Sequence, residues 1–535
     1  YIDDVLHGRK NINNTRVGGG RIDALWKPAA DLKVRLSALA HEVVGADANA
    51  MDVQQIQACP TCNHGSLSAP TYGDLEVARY LPEPLDIHYR LYNGTITWTP
   101  GAVSVVSSTS YSTEHVDQVS DLTAQYAPLL HGAIPAVFPA NLGVTLLRNI
   151  KQEKLTQEVR LASSGAPQLE WQVGVYFTHE RSSADDPAFL YSLPSQAPYI
   201  LPAPLKSFQN IFHATLFSQY TEVSEFGDVD YHFTPQFDLT VGGRYSYDAQ
   251  SYDQPSSGLL YGAPSTSHAS GDESAFTFLV NPRYKLNEDN VLYARIASGY
   301  RPGGPNAVPP AVLNFPATFG PDYLTNYELG WKAEFWRRTV SVDASVFYLQ
   351  WSRMQLPTVI GGYTAQANGG RAHSEGFESQ FTWTPVHGLT LGADATFTDA
   401  EMDSNNPTAG AFKGDGLPLV PKWNWGLSAD YSRSLADGWD GFVGASYRNI
   451  SQRPNVFTVN TATTGYYVPL PGYDTLDLRA GLTHDRWTLD IFARNVTDDR
   501  GITAVASNTG VPQSRDYTAG IIQPRTVGAS LSAKF

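Results

Sequence analysis

In TNYELGWKAEFWRRTVSVDASVFYLQW, apolar and polar residues trade places at almost every step. Tyr327, Leu329, Trp331, Ala333 and Phe335 fall on one face, and Glu328, Gly330, Lys332 and Glu334 on the other. A period of two is that of a β-strand, whose successive side chains point to opposite faces. WRRT then turns the chain, and Val340, Val342, Ala344, Val346 and Tyr348 resume the apolar face opposite Ser341, Asp343 and Ser345. The same reading fits LEWQVGVYF, DLTVGGRYSY, TLDLRAGL with WTLDIFARN, and the closing TVGASLSAKF, where Val527, Ala529, Leu531, Ala533 and Phe535 share a face. About nineteen such strands are predicted, and helical periodicity is nowhere sustained.

The connections alternate in length. KPAADL, TPGA, SGAPQ, TPQF, NEDN, WRRT, TPVHG and HDR are short, and the segments between them are long, polar and aromatic. All short turns therefore belong at one end of the strands and all long loops at the other, the layout of a membrane barrel with tight inner turns and large outer loops. The predicted fold is all-β, a transmembrane antiparallel barrel. A soluble propeller or β-helix would show a short fixed repeat, and none is present. Arg295, Glu328, Lys332, Asp343, Asp477, Arg479 and Asp490 sit mid-strand on the polar face. A dry sandwich core would not accept such charges unpaired, whereas a wet or plugged lumen would.

Composition changes the picture only at the margins. The chain has 535 residues, a net charge of −15 and no clustered Lys/Arg run, which argues against a nucleic-acid partner. No apolar stretch is long enough for a membrane helix, so any crossing uses strands. The opening YIDDVLHGRK carries no charged leader and no apolar core of a signal peptide, so either the protein is cytoplasmic or Tyr1 is not the true start. His41 and Glu42 in HEVVG lack a second His four residues on, and neither a nucleophile elbow nor a phosphate-binding loop occurs. No enzyme activity, cofactor or metal site is expected.

Taken in order, the segments 1–39, TQEVRLAS, LTVGGRYSYD, LYARIASGYRPGGPN, YELGWKAEF, SEGFESQFTWTP and ARNVTDDR resemble the barrel of a TonB-dependent outer-membrane receptor. The resemblance runs from Tyr1 to Phe535. It implies a 22-stranded barrel in a Gram-negative outer membrane that imports a scarce solute, such as a siderophore–iron complex, with energy relayed by TonB, ExbB and ExbD. The TonB box and the plug domain have no counterpart here, and the strand near Val17 to Trp26 would be about the fourth. A fragment lacking the first strands is therefore expected, since three missing strands would leave two unpaired edges in lipid. A passive porin-like channel without a plug is the other class left open. Thr526, Gly528, Leu531, Ala533 and Phe535 resemble the terminal signal read by the outer-membrane assembly machinery, and outer-membrane lipid and lipopolysaccharide are implied partners.

Ligand contacts are expected in the long loops, where stacking and charge can hold a planar or anionic molecule. The candidates are Tyr126, Tyr191, Tyr199, Arg301, Phe315, Tyr363, Arg371 and Tyr466, although loop aromatics equally well pack against one another and stiffen the loops. Arg295, Glu328, Lys332, Asp343, Asp477 and Arg479 are expected to face the lumen and the plug. Trp171, Trp331, Trp351, Trp383 and Trp487 are read as interface anchors. Cys59 and Cys62, in CPTCNHG, are read first as a local disulfide; with His64 a soft metal site would be one ligand short.

Overall fold

The computed structural model describes residues 1–57, 65–165, 168–193, 195–202, 206, 209–306, 316–360, 363–457, 469–507 and 516–534. Nineteen strands form one antiparallel barrel sheet. They are β1 (Thr15–Ala29), β2 (Leu32–Gly45), β3 (Leu85–Trp98), β4 (Val103–Asp121), β5 (Leu142–Ser163), β6 (Leu169–Ser192), β7 (Asn210–His232), β8 (Phe237–Gly258), β9 (Gly262–Asn287) and β10 (Asn290–Arg301). The sheet continues with β11 (Asp322–Phe335), β12 (Val340–Ser352), β13 (Arg371–Val386), β14 (Leu389–Met402), β15 (Trp423–Ser434), β16 (Trp439–Ile450), β17 (Tyr473–His484), β18 (Trp487–Arg494) and β19 (Thr526–Ala533). Each strand is laddered to the next in chain order, from Thr15↔Gly45 at the start to Arg494↔Thr526 at the end. Among the described residues no ladder joins β19 to β1. Both edge strands are exposed, with Val527 and Leu531 71% and 67% accessible.

The alternation read from the sequence is the alternation of the two faces. Val173, Val175, Val241, Tyr245, Tyr247, Leu329, Val346, Leu489 and Ile491 all point outward and are exposed. In water such a surface would be a liability; facing lipid, it is the fold's driving surface. Trp26, Trp98, Trp171, Trp331, Trp383, Trp439 and Trp487 lie on or near the short turns and mark one interface with an aromatic girdle. Trp351 is a correction: it lies on the inward face near the outer end of β12, packed beside Met354 and Ala372, with Arg301 over its ring at 5.8 Å. Turn geometry follows local chemistry. Gly388, between β13 and β14, has φ +85°, and a Cβ there would sit 2.0 Å from the Ser432 carbonyl oxygen, so only glycine fits.

The barrel is lopsided. Strands β4 to β9 run 19, 22, 24, 23, 22 and 26 residues, whereas β10 to β19 run between 8 and 16. At about 3.3 Å per residue and a tilt near 40°, a strand climbs roughly 2.5 Å per residue along the barrel axis. Ten residues therefore cross the apolar band of about 25 Å, and β8 and β9 rise some 30 Å beyond it. The outward side chains change where this arithmetic says they should. Along β8, Val241, Tyr245 and Tyr247 give way to Ser251, Asp253 and Pro255; along β9, Phe278 and Phe276 give way to Asp272, Ser270 and His268.

Two further expectations fail at this tall wall. The connection between β8 and β9 is a tight hairpin rather than a long loop, because residues that read as loop are strand. Residues Thr123–Ala133 form a helix, α1, where no helix was predicted. Its Leu130 packs with Phe138, Leu142, Val144, Leu190 and Ile211, so burial on the upper ends of β5 and β6 stabilises a segment too short for its own periodicity to register. Buried apolar residues gather in this cluster and two others at the outer rim, one around Ile2, Met51, Val77, Leu470 and Ile521, the other around Met354, Met402 and Phe457.

Candidate functional site

The inward face is polar, as expected, and its charges come in networks. On β10 to β12, Glu328 accepts from the Tyr293 hydroxyl at 2.6 Å and from Asn326 Nδ2 at 3.1 Å, and lies opposite Arg295 in the ladder. Lys332 reaches Asp343 at 2.6 Å and lies 6.0 Å from the Tyr293 ring centre. Across the barrel, Arg479 binds Asp430 at 2.5 Å, and Asp477 accepts the Asn495 N–H at 2.8 Å. These residues line a cavity of about 370 Å³ with Asp490, Phe492 and Arg494. The six predicted lumen residues thus fall into two groups, one on β10 to β12 and one on β17.

The sequence reading missed a third network on the tall wall. Arg244 of β8 donates to Glu222 Oε1 at 2.8 Å and to the hydroxyls of Ser224 and Ser246 at 2.9 and 3.1 Å. Its guanidinium lies 5.1 Å from the Tyr176 ring centre and 6.0 Å from that of Phe226. Glu222 also accepts from Tyr220 and Ser224, at 2.9 and 2.6 Å. The strand alternation puts these residues there: Tyr176, Tyr220, Glu222, Ser224, Phe226, Arg244 and Ser246 all lie on the inward phase of β6, β7 and β8. Every second residue of SQYTEVSEF and GGRYSYD is the signal that could have found them. Glu222 stands ten residues above the end of β7, level with the outer edge of the apolar band. A planar cation between two rings with a carboxylate behind it can stack on a flat ligand and pair with its negative charge.

The predicted loop candidates separate into engaged, reachable and undescribed residues. Tyr191 is 3% exposed, its hydroxyl 2.9 Å from Thr123 Oγ1; burial pushes its phenol above the usual range. Tyr126 and Tyr199 pack against the α1 cluster. These three stiffen the top of the tall wall. Arg301 holds Asp322 at 2.5 Å, and Arg371 is exposed at the start of β13. The backbone of Tyr363 pairs with Ile360 in a small hairpin. Phe315, Tyr466, Cys59, Cys62, His64 and the terminal Phe535 lie outside the described residues.

The outer loops carry a buried charge group of their own. Arg79 lies 3.4 Å from Asp47 and 3.2 Å from Glu83, and burial raises both carboxyls above their usual range against the pull of the Arg79 guanidinium. The neighbouring Tyr80 carbonyl accepts from Gln196 Nε2 at 2.7 Å, which ties this loop to the connection between β6 and β7. On the loop before β19, Arg500 and Arg525 bind Asp498 at 2.6 and 3.4 Å and hold its carboxyl down to about 2.

Comparison with known proteins fits this architecture. Residues 65–496 match the family model described as "TonB dependent receptor-like, beta-barrel". Among curated proteins, the chain is similar to the pesticin receptor of Yersinia pestis, 24% identical over 386 residues that make up 71% of this chain and 51% of that protein. It is also similar to the pesticin receptor of Yersinia enterocolitica, 26% identical over 275 residues, 51% of this chain and 37% of that protein. The matches therefore span about half the length of these relatives or less. Among solved structures, the ferric yersiniabactin uptake receptor FyuA of Yersinia pestis superposes with a TM-score of 0.78 at 18% identity, covering 100% of this chain and 73% of that one. The ferric-catecholate import receptor Fiu of E. coli K12 gives 0.71 at 14%, covering 100% and 76%. These structures show the shared fold. With the outward apolar band and the girdle, the family match places the chain in the outer membrane, and the family is one of receptors rather than enzymes. The chain belongs to the TonB-dependent receptor-like β-barrel family.

Proposed function

We propose that this barrel belongs to an active transporter that takes up a scarce organic solute, an iron chelate or a compound of similar size and charge, with energy delivered through TonB, ExbB and ExbD. The observation that carries the reading is the Arg244 network, a cation beside two aromatic rings on the lumen wall, in the upper part of the apolar band with Glu222 at its outer edge. The names of similar proteins point the same way, since FyuA is a ferric yersiniabactin uptake receptor and Fiu a ferric-catecholate import receptor. In this reading the full protein adds strands that bridge β19 to β1, and a plug against which the charges around Glu328 and Arg479 rest. The exposure of both edge strands supports the added strands, because unpaired backbone groups in lipid cost several kcal/mol each.

The test is uptake of a panel of radiolabelled ferric chelates by cells in which this protein is the sole receptor, with and without TonB. Accumulation of at least one chelate that vanishes without TonB supports the proposal. Uptake that persists without TonB would assign the barrel to the passive channels.

A further inference from the structure

We propose that the free edge of β9, above its last contact with β10, docks an extended segment of another protein by strand addition, one that carries a basic and an apolar residue four positions apart. β9 is laddered to β8 without a register shift from Ser256↔Ser265 to Phe237↔Tyr284, but its ladder to β10 stops at Leu279↔Ala297. From there β10 pairs with β11 alone, up to Arg301↔Asp322. The Phe278 N–H is met by Ser298 Oγ at 2.8 Å, so the even-numbered residues of this stretch aim their backbone groups at the open side. Among the described residues nothing hydrogen-bonds the backbone of Thr266, His268, Ser270, Asp272, Ser274 or Phe276 on that side. Leu279 stands eight residues above the lower end of the strand at Asn287, about 20 Å up a band of about 25 Å. The open edge therefore runs outward from the interface into water, where a row of unpaired N–H and C=O groups is a template for another strand. The usual guards are sparse: Pro264 sits at the tip, and neither a Lys nor a bulge interrupts residues 265–279.

The connection from β10 to β11 leaves the edge open because it packs on the inward face. The Gly303 N–H donates to Glu273, the Gly303 carbonyl accepts from Gln250 Nε2 at 2.7 Å, and the Tyr252 hydroxyl donates to the Asn306 carbonyl. Gln250, Tyr252 and Glu273 all lie on the inward phase of β8 and β9. A cavity of about 200 Å³ separates this connection from the edge, walled by Ser270, Gly271, Asp272 and Glu273 on one side and Gly303 and Phe319 on the other. Consecutive strand residues point to opposite faces, so four in a row line one cavity along the bare backbone. A second copy does not fit the edge, since strands tilted near 40° in two barrels with parallel axes meet at roughly 80°, far from the angle of a ladder. The side chains beside the edge describe the partner instead. On the outward face Asp272 is exposed and, among the described residues, forms no ion pair, whereas Asp253 is held by His268. Phe276, four residues down on the same face, is 61% exposed. A strand laid antiparallel beside β9 sets two of its own residues, four apart, opposite these, so that a cation faces Asp272 and an apolar side chain faces Phe276. This inference concerns the extracellular edge and is independent of what is transported.

The experiment titrates the native full-length protein in detergent against a fluorescein-labelled peptide, alternating threonine and serine with one lysine and one phenylalanine four positions apart, by fluorescence polarisation. Binding should saturate, and amide exchange should slow at positions 268, 270, 272 and 274. The same peptide N-methylated at the lysine, the phenylalanine and the residue midway between them keeps its side chains but loses the amides that face β9, and should bind about tenfold more weakly. Ser270→Pro removes one edge N–H and spares the β8 ladder, so it should weaken binding of the unmodified peptide by a similar factor. Asp272→Lys should weaken it about threefold. Heat-modifiable mobility on gels confirms that each variant is folded, and the N-methylated peptide tests the proposal on the unaltered protein. Absence of saturable binding, equal binding of the N-methylated peptide, or unchanged binding to folded Ser270→Pro would each overturn the proposal. So would a native dimer that Ser270→Pro dissolves, which assigns the edge to a second copy.

Discussion

The two walls of this barrel solve different problems with the same strand geometry. The short wall, β10 to β19, needs only to cross the membrane, and its strands stop near the outer interface. The tall wall, β4 to β9, continues for about the same distance again into the outside layer, and there its outward face turns polar while its inward face stays covered. Below the interface, lipid selects the outward side chains; above it, the backbone ladders hold the sheet and the side chains are released for contacts. The height of the tall wall carries its ladders beyond the band, while the Arg244 network sits lower on the same strands, in the upper part of the band.

The comparison can be broken from several sides. The largest expected effect is at the rim that ties the two walls together. Arg79→Ala leaves Asp47 and Glu83 buried without their cation and should cost about 3–5 kcal/mol of local stability, read as lost hydrogen-exchange protection across residues 76–84. Next, Val175→Arg on the tall wall within the band should destabilise the folded barrel by roughly 2–4 kcal/mol in urea titrations in lipid vesicles. Ser251→Arg, on the same outward face but above the band, should change it by less than about 0.5 kcal/mol. Arg244→Ala should lower TonB-dependent uptake about tenfold, and Arg244→Lys should not restore it, since an ammonium cannot stack between Tyr176 and Phe226 as a guanidinium does. Lys332→Ala on the short wall, an exposed lumen pair, should cost under about 1 kcal/mol.

Acid separates two outer-loop charge groups. Asp498 is held down to about 2 by Arg500 and Arg525, so its contribution is present above the ordinary carboxyl range and is lost as pH falls from about 4 toward 2. Asp47 and Glu83 are raised by burial, which has the opposite sign: the folded loop holds protons that the unfolded chain releases, so its stability declines as pH rises through the ordinary carboxyl range toward the raised values. Hydrogen exchange of the two loops across pH 2.5–6 should therefore show opposing trends.

How much was legible in the sequence follows from where lipid acts. In the band the alternation is enforced, so the faces of β6, β8, β11 and β12 and seven of the short turns named from the sequence were readable, the eighth, SGAPQ, lying partly outside the described residues. Above the band both faces tolerate polar residues, and GAPSTSHASGDES, rich in turn formers, reads as loop although it is strand paired along its length with β8. The same loss of contrast hid α1 and the hairpin at Gly258–Gly262. The charges of the short wall stand out in the sequence because they fall on the polar phase of a clean alternation. The Arg244 network was missed because Tyr and Phe on the inward phase look like more of the apolar face.

The most direct test of the central claim is a cysteine scan along the outward face of β8 in intact cells, at positions 241, 245, 251, 253 and 255, with Cys59 and Cys62 first replaced by serine and a membrane-impermeant maleimide as the probe. The account predicts protection at 241 and 245 and labelling at 251, 253 and 255. Protection through 255, or labelling at 241, would contradict a wall that leaves the membrane halfway along its strands.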